Sequence, residues 1–349
     1  MGLFNITRLV PQLMLATSLS LTSTIVSADQ KALEECVMEK FNNADGDLTL
    51  TQLRTMCSKD LLFKEEIEKI SVANKKDIKL GVISRRILNE KQTKFKPYVI
   101  TPHKLNYILP AYTTNAINKN VFSSIESYQE NLSDLETFFQ ISLKVPLNQH
   151  NLFIEGDGLY LGFTLQAWWQ IYAKNISKPF RETNYQPELF YIAPFNWHPF
   201  EGNTGFILGV EHQSNGRSNE FSRSWNRVYG GFLFEKNNFA LSFKPWIRLS
   251  EDEKKYPLDP SGDDNPDISD YMGHFELAMA HKWDNFELSL MTRQNFDKNK
   301  GAAQLGFTFP LWGNLRGFAT IFSGYGESLI DYNYKQTRYG LGIALTNIL

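Results

Sequence analysis

The sequence predicts an all-β protein, a twelve-stranded antiparallel transmembrane β-barrel behind a short N-terminal helical extension. Three observations predict it. From about residue 101 to the C-terminus apolar positions recur with a period of two, the mark of strands with unlike faces. The alternating stretches are about ten residues long and even in number, as suits tilted strands that cross a bilayer and close on themselves. Past the N-terminus no segment reaches the roughly 20 consecutive apolar residues of a spanning helix, and a mean hydropathy of -0.34 suits strands apolar on one face only.

The elements follow in order. Residues 1–28 read as a secretory signal: Arg8 precedes the apolar run Leu9 to Val26, and Val26-Ser27-Ala28 offers small residues for cleavage before Asp29. Residues 29–95 form a charged, helix-like extension with runs such as Lys31-Ala32-Leu33-Glu34-Glu35 and Leu61-Leu62-Phe63-Lys64-Glu65-Glu66-Ile67. Its Cys36 and Cys57 are the chain's only cysteines, and in an exported protein such a pair is expected to be bridged. The bridge would contribute about 3 kcal/mol to a small helical segment, a structural role. The stretch Asn43 to Thr49 has the look of a calcium loop. However, the first acidic position falls on Phe41 and the closing glutamate position on Gln52, so an Asp-Gly turn between two short helices is the expectation.

Residues 96–349 carry the barrel. The first expected strand lies near Asn106 to Thr113, followed by Thr137 to Val145, Leu159 to Tyr172 and Glu188 to Pro194. The fifth and sixth contain Phe206 to Ser214 and Asn226 to Phe234. Then come Phe239 to Leu249, Tyr271 to Trp283, Phe286 to Asn295, Ala302 to Leu311, Leu315 to Ser323 and Arg338 to Thr346. A soluble β-sandwich would share the alternation, but Gln140, Ser142, Lys144, Gln304 and Thr308 place polar side chains where a sandwich needs a second apolar face. They suit a hydrogen-bonded barrel interior. Glu251 to Asp270 is a long acidic loop on the outer side.

A net charge of -2 gives no basic footprint for nucleic acid. The chemistry gathers elsewhere. Along Phe206 to Ser214, residues Leu208 and Val210 share a face with His212 and Ser214, while Glu211 and Gln213 take the other. A serine hydroxyl needs a neighbouring base, and the base needs an orienting partner. His212 and Ser214, two apart, project on the same side, and Asn226 on the next strand can accept the second imidazole N–H. A neutral amide suits a lipid-facing surface, where a fixed charge is costly. Gly216 can present a backbone N–H to an oxyanion. Taken alone, His-x-Ser is also what an accidental rim pair looks like. His103, His150, His198, His274 and His281 have no comparable partners and read as loop, lumen or rim residues.

Longer motifs surround these residues: His212-Gln213-Ser214-Asn215-Gly216-Arg217-Ser218, Ser222-Arg223-Ser224-Trp225-Asn226-Arg227 and Pro179-Phe180-Arg181-Glu182-Thr183-Asn184-Tyr185. With them stand Lys244-Pro245-Trp246, Asp264-Asn265-Pro266-Asp267 and Ser323-Gly324-Tyr325-Gly326-Glu327-Ser328-Leu329-Ile330-Asp331-Tyr332-Asn333. On these motifs the chain resembles the outer membrane phospholipase A family of bacteria.

The resemblance implies an outer-membrane barrel that hydrolyses the sn-1 and sn-2 esters of phospholipids and lysophospholipids, with Ser214 as nucleophile, His212 as base and Asn226 as orienting partner. It also implies activation by calcium and homodimerisation, one ion per monomer shared across the interface. The ligands would be the backbone carbonyl of Arg217, the hydroxyl of Ser222 and, from the other subunit, a serine matching Ser177. The family often carries an acidic residue where Asn219 stands. The readings that compete are a passive channel or structural barrel, and a lipase-like barrel that has lost activity.

Overall fold

The computed structural model describes residues 30, 32–41, 49–58, 60–61, 100–148, 151–256, 259, 261–313 and 315–346. The signal segment expected at 1–28 and most of the loop at 43–49 lie outside the described residues. The chain divides into two compact units, Met1–Ile78 and Lys79–Leu349.

In the first unit, helical residues 32–41 and 50–58 are joined by a Cys36–Cys57 disulfide, with Cα atoms 5.8 Å apart. Val37, Leu53 and Cys57 make its small core. The second helix starts at a capping box. The Thr49 N–H donates to Gln52 Oε1 (2.9 Å) and the Gln52 N–H to Thr49 Oγ1 (3.3 Å), which satisfies donors the helix leaves open. Gln52 thus has a local structural task.

The second unit is the barrel. Its strands are β1 Tyr107–Thr114, β2 Leu135–Pro146, β3 Gly158–Trp169, β4 Phe180–Phe195, β5 Asn203–Ser214 and β6 Ser224–Lys236. They continue as β7 Phe239–Leu249, β8 Phe275–Trp283, β9 Phe286–Asn295, β10 Lys300–Pro310, β11 Arg316–Gly324 and β12 Gln336–Ala344. Each pairs antiparallel with the next, and β12 returns to β1, from Arg338↔Thr114 to Ala344↔Tyr107. Closure leaves no edge, which lipid could not hydrogen-bond. The short strand Thr101–Pro102 extends the wall against Leu143 and Lys144 of β2. It leads into His103, which contacts Glu188 Oε1 (2.8 Å) inside the barrel.

The two faces of the wall differ as the alternation predicts. Leu161, Phe163, Leu189, Leu208, Leu305 and Leu341 stand exposed on the outside, the apolar band of a barrel that faces lipid. The inside buries polar groups: Ser142 shares a hydrogen bond with Thr164 (2.8 Å), and Glu136, Thr308 and Arg338 are fully enclosed.

Two strand starts differ most from the expectation, and β3 ends at Trp169 rather than Tyr172. β4 begins at Phe180 rather than Glu188, because Arg181, Glu182 and Asn184 point inward and find partners there. Arg181 bonds Glu136 Oε1 (2.7 Å) and Asp331 Oδ2 (2.6 Å). Asn184 accepts from the Leu329 N–H (3.0 Å), and Glu182 from the Ile330 N–H (3.2 Å). The motifs around Arg181 and Ile330, remote in sequence, are two halves of one buried network. β8 begins at Phe275 rather than Tyr271, because a short helix Ile268–Met272 precedes it. That helix ends at Gly273, whose φ of 73° suits only a residue without a Cβ.

Candidate active site

β5 and β6 run in continuous register: Glu211 faces Arg227, His212 faces Asn226, Gln213 faces Trp225 and Ser214 faces Ser224. One set looks inward and is buried: Glu211, Gln213, Trp225 and Arg227. Glu211 pairs with Arg227, whose guanidinium lies 3.8 Å from the Trp225 ring centroid. His212, Ser214 and Asn226 take the other face, half-buried, beside the exposed Val210, Val228 and Leu249. A direct cross-strand pair brings side chains closest, and here it brings an imidazole against an amide.

His212 Nδ1 lies 2.8 Å from Asn226 Oδ1. An amide oxygen only accepts, so Nδ1 carries the proton and Nε2 keeps its lone pair. Ser214 sits two residues on, on the same face. Among the described residues no hydrogen bond joins His212 to Ser214, as expected for groups about 6.6 Å apart by strand rise that tighten only around substrate. On the opposite flank stands β4. Tyr185 pairs with Ser214 and Glu188 with Glu211, while Pro187 between them carries no N–H to donate toward β5.

The turn after Ser214 is built by Asn215. Its Oδ1 accepts from the N–H groups of Arg217 (3.2 Å) and Arg223 (3.0 Å), and its Nδ2 donates to the Phe221 carbonyl (2.8 Å). Gly216 has a φ of 64°, and a Cβ there would lie 3.1 Å from the Tyr185 ring. The Arg217 side chain folds back onto the carbonyls of Phe180 (3.2 Å) and Arg181 (2.5 Å), which fixes its main chain at the turn. Asn219 adopts a φ of 59°, a conformation asparagine tolerates better than most residues. Ser222 donates to Asp264 Oδ2 (2.5 Å), whose other oxygen meets Lys254 Nζ (2.5 Å).

The structure therefore brings His212, Ser214, Asn226, Gly216, Arg217 and Ser222 to one end of the β5–β6 hairpin. Ser177 is exposed on the loop between β3 and β4. Three residues that sequence reasoning left without a role belong to the site. Asn215 and Asp264 lie within quoted motifs. Glu251, which accepts from Asn226 Nδ2 (3.0 Å), lies in the loop read only as acidic.

A family profile described as phospholipase A1 matches residues 83–345. The chain belongs to the phospholipase A1 family. The phospholipase A1 of Klebsiella pneumoniae is 38% identical over 266 residues, 75% of this chain and 87% of that protein. That of Escherichia coli K12 is 36% identical over 266 residues, 75% of this chain and 86% of that protein. The solved structure of outer membrane phospholipase A from Escherichia coli superposes with a TM-score of 0.68 at 34% identity, covering 75% of this chain and 98% of that one. The Salmonella typhi outer membrane phospholipase, solved as a dimer with bound calcium, matches with the same score and coverage. This phospholipase A1 family member is thus an outer-membrane barrel and a lipid ester hydrolase.

Proposed function

We propose that this protein hydrolyses the sn-1 and sn-2 acyl esters of phospholipids and lysophospholipids as a serine esterase, on the lipid-facing surface of the barrel. The observation that carries the proposal is the His212 Nδ1–Asn226 Oδ1 contact of 2.8 Å on the outer face, with Ser214 on that same face.

Ser214 Oγ attacks the ester carbonyl carbon as His212 Nε2 takes its proton. Asn226 holds the imidazole so that Nε2 stays the basic nitrogen. The Gly216 N–H faces the developing oxyanion. Collapse breaks the bond to the glycerol oxygen, which leaves with the proton from His212. Water, deprotonated by His212, then attacks the acyl–Ser214 ester, releasing fatty acid and returning the proton to Ser214.

The proposal extends to calcium and to a homodimer, the state in which the Salmonella typhi relative was solved. The residues present fit the ion: a carbonyl at Arg217, a hydroxyl at Ser222 bonded to the Asp264 carboxylate, and the exposed Ser177 hydroxyl supplied by a partner are all hard oxygen donors. Bound there, calcium would supply positive charge toward the oxyanion. The domain plan we adopt is a signal peptide at 1–28, a helical periplasmic extension at 29–95 and the barrel at 96–349.

The test is fatty-acid release from phospholipid mixed micelles by the refolded protein, with calcium and with excess EDTA. Calcium-dependent release is the expected result. Equal release in both conditions would remove the metal from the proposal, and no release from folded dimer would remove the triad.

A further inference from the structure

Asn226 uses both ends of its amide. Oδ1 meets His212 Nδ1 at 2.8 Å, and Nδ2 donates to Glu251 Oε1 at 3.0 Å. We propose that Glu251 is a positioning residue of this active site, whose carboxylate locks the Asn226 amide in the one orientation that leaves His212 able to act as the base. The inference rests on the Ser214–His212–Asn226 reading above.

The backbone explains how Glu251 arrives there. Leu249, the last residue of β7, pairs directly with Asn226 and stands exposed on the outer face. Glu251 lies two residues beyond, so it keeps the parity of Leu249 and continues the outer line of β7 past the membrane-facing strand. Its carboxylate is half-buried over Asn226. At the strand end, near the polar boundary, a charge is far less costly than at mid-bilayer.

The chemistry gives that contact its consequence. A terminal amide can flip, exchanging an acceptor for a donor at nearly the same shape. Flipped, Asn226 would present its N–H group to His212 Nδ1, which would then have to accept. The imidazole proton would move to Nε2, the atom that must take the Ser214 proton, and the base would be lost. An ionised carboxylate accepts only. With Glu251 in place, the flipped amide would set Oδ1 against a carboxylate oxygen, two acceptors at hydrogen-bonding distance. Glu251 thus selects the amide orientation, the amide selects the tautomer, and the tautomer frees Nε2. A triad with aspartate as its third member needs no such lock, because both carboxylate oxygens accept. An asparagine does.

The experiment is a double-substitution cycle on the full-length refolded protein. Glu251→Ala, Glu251→Gln, Asn226→Ala and the Asn226→Ala/Glu251→Ala pair are each assayed for kcat and KM on phospholipid mixed micelles. Folding is checked by heat-dependent gel mobility. Asn226→Ala should lower kcat about tenfold or more. Glu251→Ala should lower kcat about fivefold with KM unchanged, and should add nothing once Asn226 is alanine. Glu251→Gln keeps the reach but brings an amide that can itself flip and pair with either Asn226 orientation, so it should lower kcat as Glu251→Ala does.

A Glu251→Ala protein with full kcat overturns the inference while the triad stands. The same loss in both Asn226 backgrounds overturns it too, since Glu251 would then act elsewhere. So does a Glu251→Gln protein with full kcat, since a side chain that can also donate would then serve as well as the carboxylate. Undiminished kcat in Asn226→Ala is a different failure, because it removes the triad reading and Glu251 along with it.

Discussion

The two faces of the β5–β6 wall share one backbone, one register and nearly one set of heights, yet they solve opposite problems. Inward, Glu211 and Arg227 face each other as full charges, with Lys244 Nζ 4.0 Å from Glu211 and two tryptophan rings beside the guanidinium. One residue along, His212 and Asn226 face each other outward as a neutral pair among Val210, Val228 and Leu249. Charge is tolerable inside because opposite charge and aromatic faces are built around it. On the lipid side His212, Ser214 and Asn226 carry no permanent charge at the resting stage, and the carboxylate that holds Asn226, Glu251, lies past the strand end near the polar boundary. The difference teaches that reactivity and stability are kept on separate faces, one residue out of phase.

The largest expected break of that separation is on the outer face. Ser214→Ala should lower fatty-acid release by about a thousandfold or more and leave folding untouched, since the substitution removes the nucleophile but no buried contact. Release assays beside heat-dependent gel mobility measure the two halves of the claim. A variant that keeps its activity would take Ser214 out of the mechanism.

The mirror substitution is on the inner face. Arg227→Ala strips Glu211 of its nearest countercharge and should destabilise the barrel by about 3 to 5 kcal/mol. The fraction that remains folded should keep kcat within about threefold, because Arg227 does not face the lipid side. Urea unfolding in micelles gives the first number and a standard assay the second. A large loss of kcat without a loss of stability would show that the faces are not separate.

The outer face was legible in the sequence to an unusual degree, and the reason is geometric. His212, Ser214 and the apolar residues around them lie on consecutive turns of one alternation, so parity alone puts them on the lipid side. Asn226 follows from a single hairpin. The inner face was legible only as polarity. That Arg181 reaches Glu136 and Asp331, or that Glu182 holds the Ile330 N–H, depends on strands and a loop brought together by closure. Local alternation carries no trace of it. For the same reason β4 read as starting at Glu188: the charged residues from Arg181 to Asn184 look like loop until their partners are in place. Glu251 escaped notice because its role depends on which strand end lies beside Asn226, not on its neighbours in sequence.

A smaller effect probes the boundary between the faces, at the rim where the calcium ligands are proposed. Ser222→Leu replaces a hydroxyl that donates to Asp264 with a side chain offering no oxygen. It should lower activity at saturating calcium by about tenfold and flatten the calcium titration. Gel mobility should not change, because Ser222 is only half-buried in a turn already held by Asn215. An unchanged titration would mean that the ion, if bound, is held by other atoms.

The smallest effect is a pH dependence that only the inner face should show. Asp331, in the loop between β11 and β12, is fully buried and accepts from Arg181 Nη1 (2.6 Å), Asn118 Nδ2 (3.0 Å) and Ser328 Oγ (3.0 Å). Burial pushes its carboxyl up, but Arg181 and then Arg338 more than reverse this and hold it below its ordinary 3.8. A carboxyl lowered by folding stabilises the native state at every pH above its unfolded value. That contribution is lost as pH falls from about 3.8 through the lowered native value. Asp331→Asn should therefore be less stable than the unsubstituted protein at pH 7 and 5, with the gap closing as pH drops below 4. Val228→Ala, on the outer face, removes apolar contact but no titrating group, so its stability gap should hold constant over the same range. Urea midpoints for both variants at pH 7, 5, 4 and 3 make the comparison. Parallel curves for Asp331→Asn would show that its carboxylate, though paired, contributes nothing through its charge, and that the inner network acts by shape alone.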